Sequence, residues 1–360
     1  TPLQLIKARH AVVPFEDPSE FLKLRQWVLN PTNALNGAVS SGGMDIAAAV
    51  VTGVGGSGKT RLAVELCHDL SAKGWYTGFL PTTTDVTNEE LLALTELITE
   101  LLVVVDYAEE GQRGLLAKMF RILQNRRSPT RIVLTARGAD TWWDDFREEM
   151  EQDGIDLSNT LVISNLGKKH QEVDRGLFGE IYRRAVRSFS NAMTKSVPRG
   201  IDVPEELGDT ALDAVLRAWL VVCNEGTGTE EKMPTRNDLY DSVLAIEFSQ
   251  WRKTPALAEI SMNHLFRAAA TLSLLAPNQD EDEVDEVLSR LPEWEHEHLR
   301  RSRFAELLVH TLLRTDSGDP MCLQPDPVAE HLILTVFGKR PDLLDRVLPC
   351  NPMEAVGIGN

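Results

Sequence analysis

Gly53-Val54-Gly55-Gly56-Ser57-Gly58-Lys59-Thr60 is the stretch whose residue types and spacing could do chemistry. It fits GxxxxGK[ST] without a gap. Glycines at this spacing let the backbone turn tightly, so that successive N–H groups point inward at the oxygens of a phosphate chain. A helix beginning at the lysine adds the partial positive charge of its N-terminus. Lys59 would then reach the β- and γ-phosphates, and the Thr60 hydroxyl would ligate Mg²⁺. A glycine-rich turn with an incidental lysine is the plainer reading. The flanks favour the cradle, because IAAAVV supplies a strand before it and RLAVELC a helix after it.

A metal held against phosphates needs a carboxylate as well. In LLVVVDYAEE an apolar run ends at Asp106, the expected end of a strand and the expected second anchor for Mg²⁺. Hydrolysis would need a base to orient water, and Tyr107 directly after Asp106 is not one. Glu109 and Glu110 follow on the next turn. Either could reach the site as the base, or the pair could only supply negative charge to the next helix. RIVLTAR puts Thr135 and Arg137 at the tip of a further strand. Arg137 there could read the γ-phosphate, or be an ordinary surface arginine.

These residues need a scaffold that brings strand ends together. From about 46 to 165 short apolar runs (IAAAVVTGV, WYTGFL, LLVVVD, RIVLTA, LVIS) alternate with helical patterns. That alternation predicts a parallel sheet covered by helices. Before it, AVVPF reads as extended, and SEFLKLRQWVL as a helix with Phe21, Leu24, Trp27 and Val28 on one face. After 165 the strand runs stop. Residues 170–252 read as helices broken by a solvated loop, NEGTGTEEKMPT. Residues 258–338 read as three more helices and a short hairpin in LLRTDSGDPMCLQP turning at Asp316–Gly318, a winged-helix pattern. The expected organisation is an N-terminal linker and helix (1–40), a P-loop NTPase domain (41–168), a helical lid (169–256), a winged-helix-like domain (257–345) and a tail (346–360).

The chain has 360 residues, a net charge of −17, and 42% hydrophobic and 25% charged residues. That balance is ordinary for a globular protein of two or three domains. The acidity argues against a broad nucleic-acid footprint, and no apolar window is long enough to span a bilayer. The scattered Cys67, Cys223, Cys322 and Cys350 form no CxxC pair and predict reduced thiols in the cytoplasm. The start, TPLQLIKARH, has no initiator Met and no secretory leader pattern, so a piece of a longer protein is expected. Trp142-Trp143 reads as packing, DEDEVDE at 280–286 as a solvated helix start, and His296 and His298 as unsuited to sharing a metal.

The order GVGGSGKTRLA, LLVVVD, RIVLTAR, a helical lid and a winged-helix-like segment resembles the STAND class of signalling NTPases, especially its NB-ARC and AP-ATPase branch in bacteria, often beside tetratricopeptide repeats. The likeness spans roughly residues 10–345, with GKTRLA, VLTAR and LQPDPVAEHLIL narrowing it. It implies an α/β fold: a parallel P-loop NTPase sheet of the additional-strand type, followed by a helical lid and a winged-helix-like all-α domain. Gly53, Gly58, Lys59, Thr60, Asp106 and Arg137 match the family's phosphate, metal and sensor positions. Val54, Gly55, Gly56, Ser57 and Arg61 complete the nucleotide-binding set. Relatives often carry Met-His-Asp in the winged helix, where this chain has Gln324-Pro325-Asp326. Asp326 therefore stands as a candidate while Pro325 lacks the side-chain contact. The Gly-Arg that often follows the early aromatic is absent, since Phe15 precedes Glu16-Asp17-Pro18.

The resemblance implies ATP/ADP and Mg as cofactors, slow hydrolysis, self-association on ATP binding, and sensor or effector domains outside this chain, in bacterial stress or antiphage signalling. Two other readings stand beside this switch. One is a winged-helix DNA-binding regulator using the Arg300-Arg301-Arg303 cluster. The other is a turnover ATPase or kinase.

Overall fold

The computed structural model describes residues 2–15, 19–30, 46–81, 86–109, 113–164, 166, 171–195, 201–224, 235–313 and 321–348. The chain divides into two compact units, one of residues 14–177 and one of residues 1–13 with 178–360.

In the first unit, α1 (Ser19–Leu29) precedes a strictly alternating series. This runs β1 (Ile46–Thr52), α2 (Lys59–Ser71), β2 (Tyr76–Phe79), α3 (Asn88–Thr95), β3 (Leu101–Val105), α4 (Arg113–Leu123), β4 (Thr130–Ala136), α5 (Asp140–Gln152) and β5 (Leu161–Ile163). All strand pairs are parallel, in the order β2-β3-β4-β1-β5. β4 thus lies between β1 and β3, the inserted strand of the additional-strand P-loop NTPase sheet.

Both faces of the sheet are apolar, and the period of two sorts them. Ala48, Val50, Leu101, Val103, Val105, Ile132 and Leu134 point to one side and pack with Leu91 of α3, Phe120 of α4 and Trp143 and Phe146 of α5. Ala49, Val51, Leu102, Val104 and Val133 point to the other and pack with α1 and α2. The α1 face is the one read from sequence: Phe21, Leu24, Trp27 and Val28 are all buried. Trp143 packs in the core, and the Trp142 ring nitrogen donates to the Gly138 carbonyl at 2.7 Å. Truncating a side chain as enclosed as Phe120 would cost about 3–5 kcal/mol.

The second unit is helical among its described residues. It contains α7 (Ala211–Cys223), α8 (Arg236–Trp251), α9 (Met262–Leu275), α10 (Glu281–Ser289), α11 (His298–Leu307), α12 (Asp326–Lys339) and α13 (Pro341–Val347). α6 (Gln171–Ala192) crosses from one unit into the other along the chain. The polar ties of the second unit are specific. Asp213 is fully buried: one oxygen accepts the backbone N–H groups of Asp209 and Thr210 at 3.1 Å, and the other accepts the Tyr240 hydroxyl at 3.1 Å. Glu247, also buried, accepts the Trp251 ring N–H at 2.9 Å and the backbone N–H of Leu3 at 3.1 Å. The latter contact holds the first residues of the chain in this unit.

Residues 2–6 and 8–10 form 3₁₀ turns, and residues 11–15, read as extended, pair with no strand among the described residues. The acidic run at 280–286 does begin a helix, with the Asp280 carboxylate accepting the N–H groups of Asp282 and Glu283 at 3.0 Å. Among the described residues no hairpin follows α11. A π-helical turn, Leu308–Leu312, comes instead, and the expected turn at Asp316–Gly318 lies outside the described residues, as do Glu110 and the loop at 225–234. No helix among the described residues is long and apolar enough to cross a membrane.

Candidate functional site

The parallel sheet collects the C-terminal ends of β1, β3 and β4 side by side, and the residues singled out above extend from those ends. Chain direction alone dictates this, because every loop that follows a strand emerges at the same edge.

The loop after β1 is set by close approach and unusual torsions. The Gly53 N–H donates to the Ala136 carbonyl at 3.2 Å, tying the loop to the end of β4. A Cβ on Gly53 would lie 2.9 Å from the Leu166 carbonyl oxygen, so no larger residue fits without backbone movement. Gly58 has φ +99°, open to glycine and strained for L side chains. As the residue capping α2 it offers no side-chain acceptor, unlike Thr87 before α3 and Thr210 before α7. The first-turn amides of α2 are therefore left to other partners. The Ser57 hydroxyl is buried within the same loop with no hydrogen-bond partner among the described residues.

Lys59 is 7% exposed, and its ammonium donates to the carbonyls of Gly53 at 2.7 Å and Val54 at 3.3 Å. That places the charge across the loop. Thr60, next on α2, donates its hydroxyl to Asp106 Oδ2 at 2.8 Å. The other Asp106 oxygen accepts the hydroxyl of Thr135. Asp106 and Thr135 meet because the β3–β4 register pairs Val105 with Leu134, and each lies one residue beyond.

Beyond Asp106 the chain turns sharply, with Tyr107 at φ +54°. The Tyr107 N–H points at the Thr135 hydroxyl oxygen at 3.4 Å, and the Ala108 N–H donates to the Thr135 carbonyl at 2.9 Å. Glu109 follows, with Oε1 accepting the backbone N–H of Arg137 at 2.7 Å. Its Oε2 is buried without a hydrogen-bond partner among the described residues. The exposed Arg137 thus meets Glu109 through its backbone.

Gly53, Gly58, Lys59, Thr60, Asp106, Glu109 and the Arg137 backbone are accordingly brought to one edge of the sheet. Val54, Gly55 and Gly56 form the outer part of the loop, with Val54 40% exposed. Arg61 points elsewhere in the same unit: its guanidinium pairs with Glu65 at 2.5 Å and lies over the Phe15 ring at 5.9 Å. Burial lowers the Arg61 pKa, an effect the neighbouring Glu65 carboxylate opposes. Asp326 opens α12 in the second unit.

Thr135 is the tie that sequence reading placed at a strand tip without assigning it a contact. Its signal was the position two residues before Arg137 at the end of an apolar run. Leu166, which closes over Gly53, carried none.

The donor set suits a nucleotide and a hard cation. Oxygen ligands at Thr60 and Asp106 match the preference of Mg²⁺, and a loop bearing an unpartnered buried hydroxyl and an uncapped helix start matches phosphate oxygens.

No protein-family model matches the chain, and no curated protein matches it. Among solved structures, the chain is similar to the ORC2 protein of Aeropyrum pernix, determined as ADPNP-ADP complexes. The identity is 13% and the TM-score 0.37, over 91% of this chain and 96% of that one. It is also similar to PCH-2 of C. elegans, at 14% identity and a TM-score of 0.34 over 84% of this chain and 72% of that one. Cdc6p from Pyrobaculum aerophilum is similar at 13% identity and a TM-score of 0.29, over 92% and 98%. These likenesses are shallow, and nothing about this chain follows from them.

Proposed function

We propose that the chain binds ATP and ADP with Mg²⁺ at the loop 53–60 and uses the difference between them as a switch, hydrolysing ATP slowly. The observation that carries this is the meeting of a glycine-rich phosphate loop with the Thr60–Asp106 hydroxyl–carboxylate pair at the C-terminal edge of a parallel sheet. In this reading the loop amides and Lys59 hold the phosphate chain. Thr60 and Asp106 hold the metal, which when bound neutralises charge on the terminal phosphates. Glu109, with one oxygen fixed by the Arg137 N–H, orients water through the other. The Arg137 side chain reads the γ-phosphate.

Slow hydrolysis and a change of assembly follow from the resemblance to STAND ATPases. Self-association on ATP binding, a lid and winged helix that close on ADP, effector domains elsewhere, a cytoplasmic setting and a role in bacterial defence or stress signalling belong to the same proposal. One feature favours it over DNA binding. Arg301, the centre of the basic cluster, is only 7% exposed and gives its guanidinium to Asp285 at 2.7 and 2.9 Å, leaving Arg300 and Arg303 as a thin basic surface.

The test is nucleotide binding with particle size. ATP with Mg²⁺ should bind and enlarge the particle, ADP should not enlarge it, and turnover should stay below roughly one per second. Faster turnover would favour a metabolic ATPase or kinase. Equal particle size in both nucleotides would remove the switch.

A further inference from the structure

We infer that Thr135 is a positioning residue for the metal: its hydroxyl holds the Asp106 carboxylate so that the opposite oxygen faces Thr60. This rests on the nucleotide reading above and assigns a role in it that neither motif carries by itself.

Asp106 has two carboxylate oxygens, each taking one hydroxyl, Oδ1 from Thr135 and Oδ2 from Thr60. A carboxylate at a strand end would rotate freely about its last torsion if only one oxygen were held. Two donors on opposite sides fix the plane. The donors themselves are fixed. Thr60 sits in the first turn of α2, and Thr135 is 1% exposed at the end of a central strand.

Thr135 has a second duty that strengthens the first. Regular β3–β4 pairing stops at Val105 and Leu134. Past that point the β3 chain swings away through Tyr107, and its N–H turns to the Thr135 hydroxyl while the Ala108 N–H takes the Thr135 carbonyl. The hydroxyl therefore accepts from the backbone just after Asp106 and donates to the Asp106 side chain. A hydroxyl can do both, since it carries one proton and two lone pairs. Serine preserves this pattern and valine removes it at nearly constant shape.

The consequence is selective. The phosphate loop follows β1, opens α2 and is tied to β4 through the Ala136 carbonyl, with no bond to the Thr135 hydroxyl among the described residues, so metal-free nucleotide binding is untouched. The gain in affinity that Mg²⁺ supplies passes through Asp106 and falls.

The experiment measures binding of a fluorescent ATP analogue to the full chain, once with MgCl₂ and once with EDTA, in wild type, Thr135→Val and Thr135→Ser. In the expected result Thr135→Val keeps its EDTA affinity within about twofold of wild type. It loses roughly tenfold of the Mg²⁺-dependent gain, as for one charge-assisted hydrogen bond, and Thr135→Ser recovers it. The inference is overturned if Thr135→Val keeps the full Mg²⁺ gain. It is equally overturned if affinity falls alike in both buffers, since that marks a general distortion of the loop. Should Thr135→Val not fold, Thr135→Ser decides: a wild-type Mg²⁺ gain sustains the hydroxyl's role and a lost gain overturns it. A wild-type chain that binds in neither buffer overturns the nucleotide reading and this one with it, whereas wild-type binding with an unaltered Thr135→Val overturns this one alone.

Discussion

Gly53→Ala asks whether the loop's shape, rather than its composition, makes the phosphate cradle. The added methyl would sit 2.7 Å from the Ser57 hydroxyl oxygen and 2.9 Å from the Leu166 carbonyl oxygen. The hydroxyl can rotate away, but the carbonyl belongs to backbone whose own N–H is held by the Thr52 carbonyl at 2.7 Å. The carbonyl or the loop must give by about half an ångström to reach ordinary contact, an overpacking expected to cost about 1–3 kcal/mol. Gly74→Ala is the matched control. Gly74 has φ +92° and open space around its missing Cβ, so alanine there pays only the left-handed torsion, roughly 1–2 kcal/mol. Thermal or urea unfolding should therefore report losses of similar size. Equilibrium binding of a fluorescent ATP analogue should separate the two: at least about tenfold weaker for Gly53→Ala, equivalent to about 1.4 kcal/mol, and unchanged for Gly74→Ala. Wild-type affinity in a folded Gly53→Ala protein would refute the idea that this loop grips phosphate.

Three further outcomes are expected. Lys59→Ala should abolish ATP and ADP binding by calorimetry, because no other ammonium spans the 53–54 carbonyls among the described residues. Asp106→Ala should still bind nucleotide while losing Mg²⁺-dependent phosphate release in a malachite-green assay. Burial first, and then the neighbouring Asp213 carboxylate, push the Tyr240 hydroxyl up to about 12. A raised value in the folded state means that its contribution to stability is complete below the unfolded value near 10 and is lost as pH climbs toward 12. Wild type should thus lose stability across that window more steeply than Tyr240→Phe, read by urea unfolding at pH 9 and 11.5.

The sheet and its order of helices were legible because two periods carry them. Ala48 and Val50 against Ala49 and Val51 show the two-sided strand, and Phe21, Leu24, Trp27 and Val28 show the helical face. The helix between β2 and β3 is the faintest of the series, since only Leu91 of α3 is buried and its start, Thr87 with Glu90, is a capping box in a polar stretch. The motif positions were legible as a string, but their mutual contacts were not. Thr135 reaches Asp106 through a register between strands 29 residues apart in sequence. Arg301 looked the equal of Arg300 and Arg303, and only the fold reveals that it serves Asp285, 16 residues away. Arg61, grouped with the loop by adjacency, turns along α2 to Glu65, as the 3.6-residue period of the helix dictates.

The bond from Leu3 to Glu247 spans 244 residues, and it imposes an order on biosynthesis. The α/β unit is contiguous and can close once residue 177 has cleared the ribosome. The first residues cannot join their helical partners until α8 has been made, roughly 12–50 s after their own synthesis at ordinary translation speeds. Through that interval Leu3 lacks its Glu247 partner, and when α8 arrives the helices α9 to α13 of the same unit are still to be made.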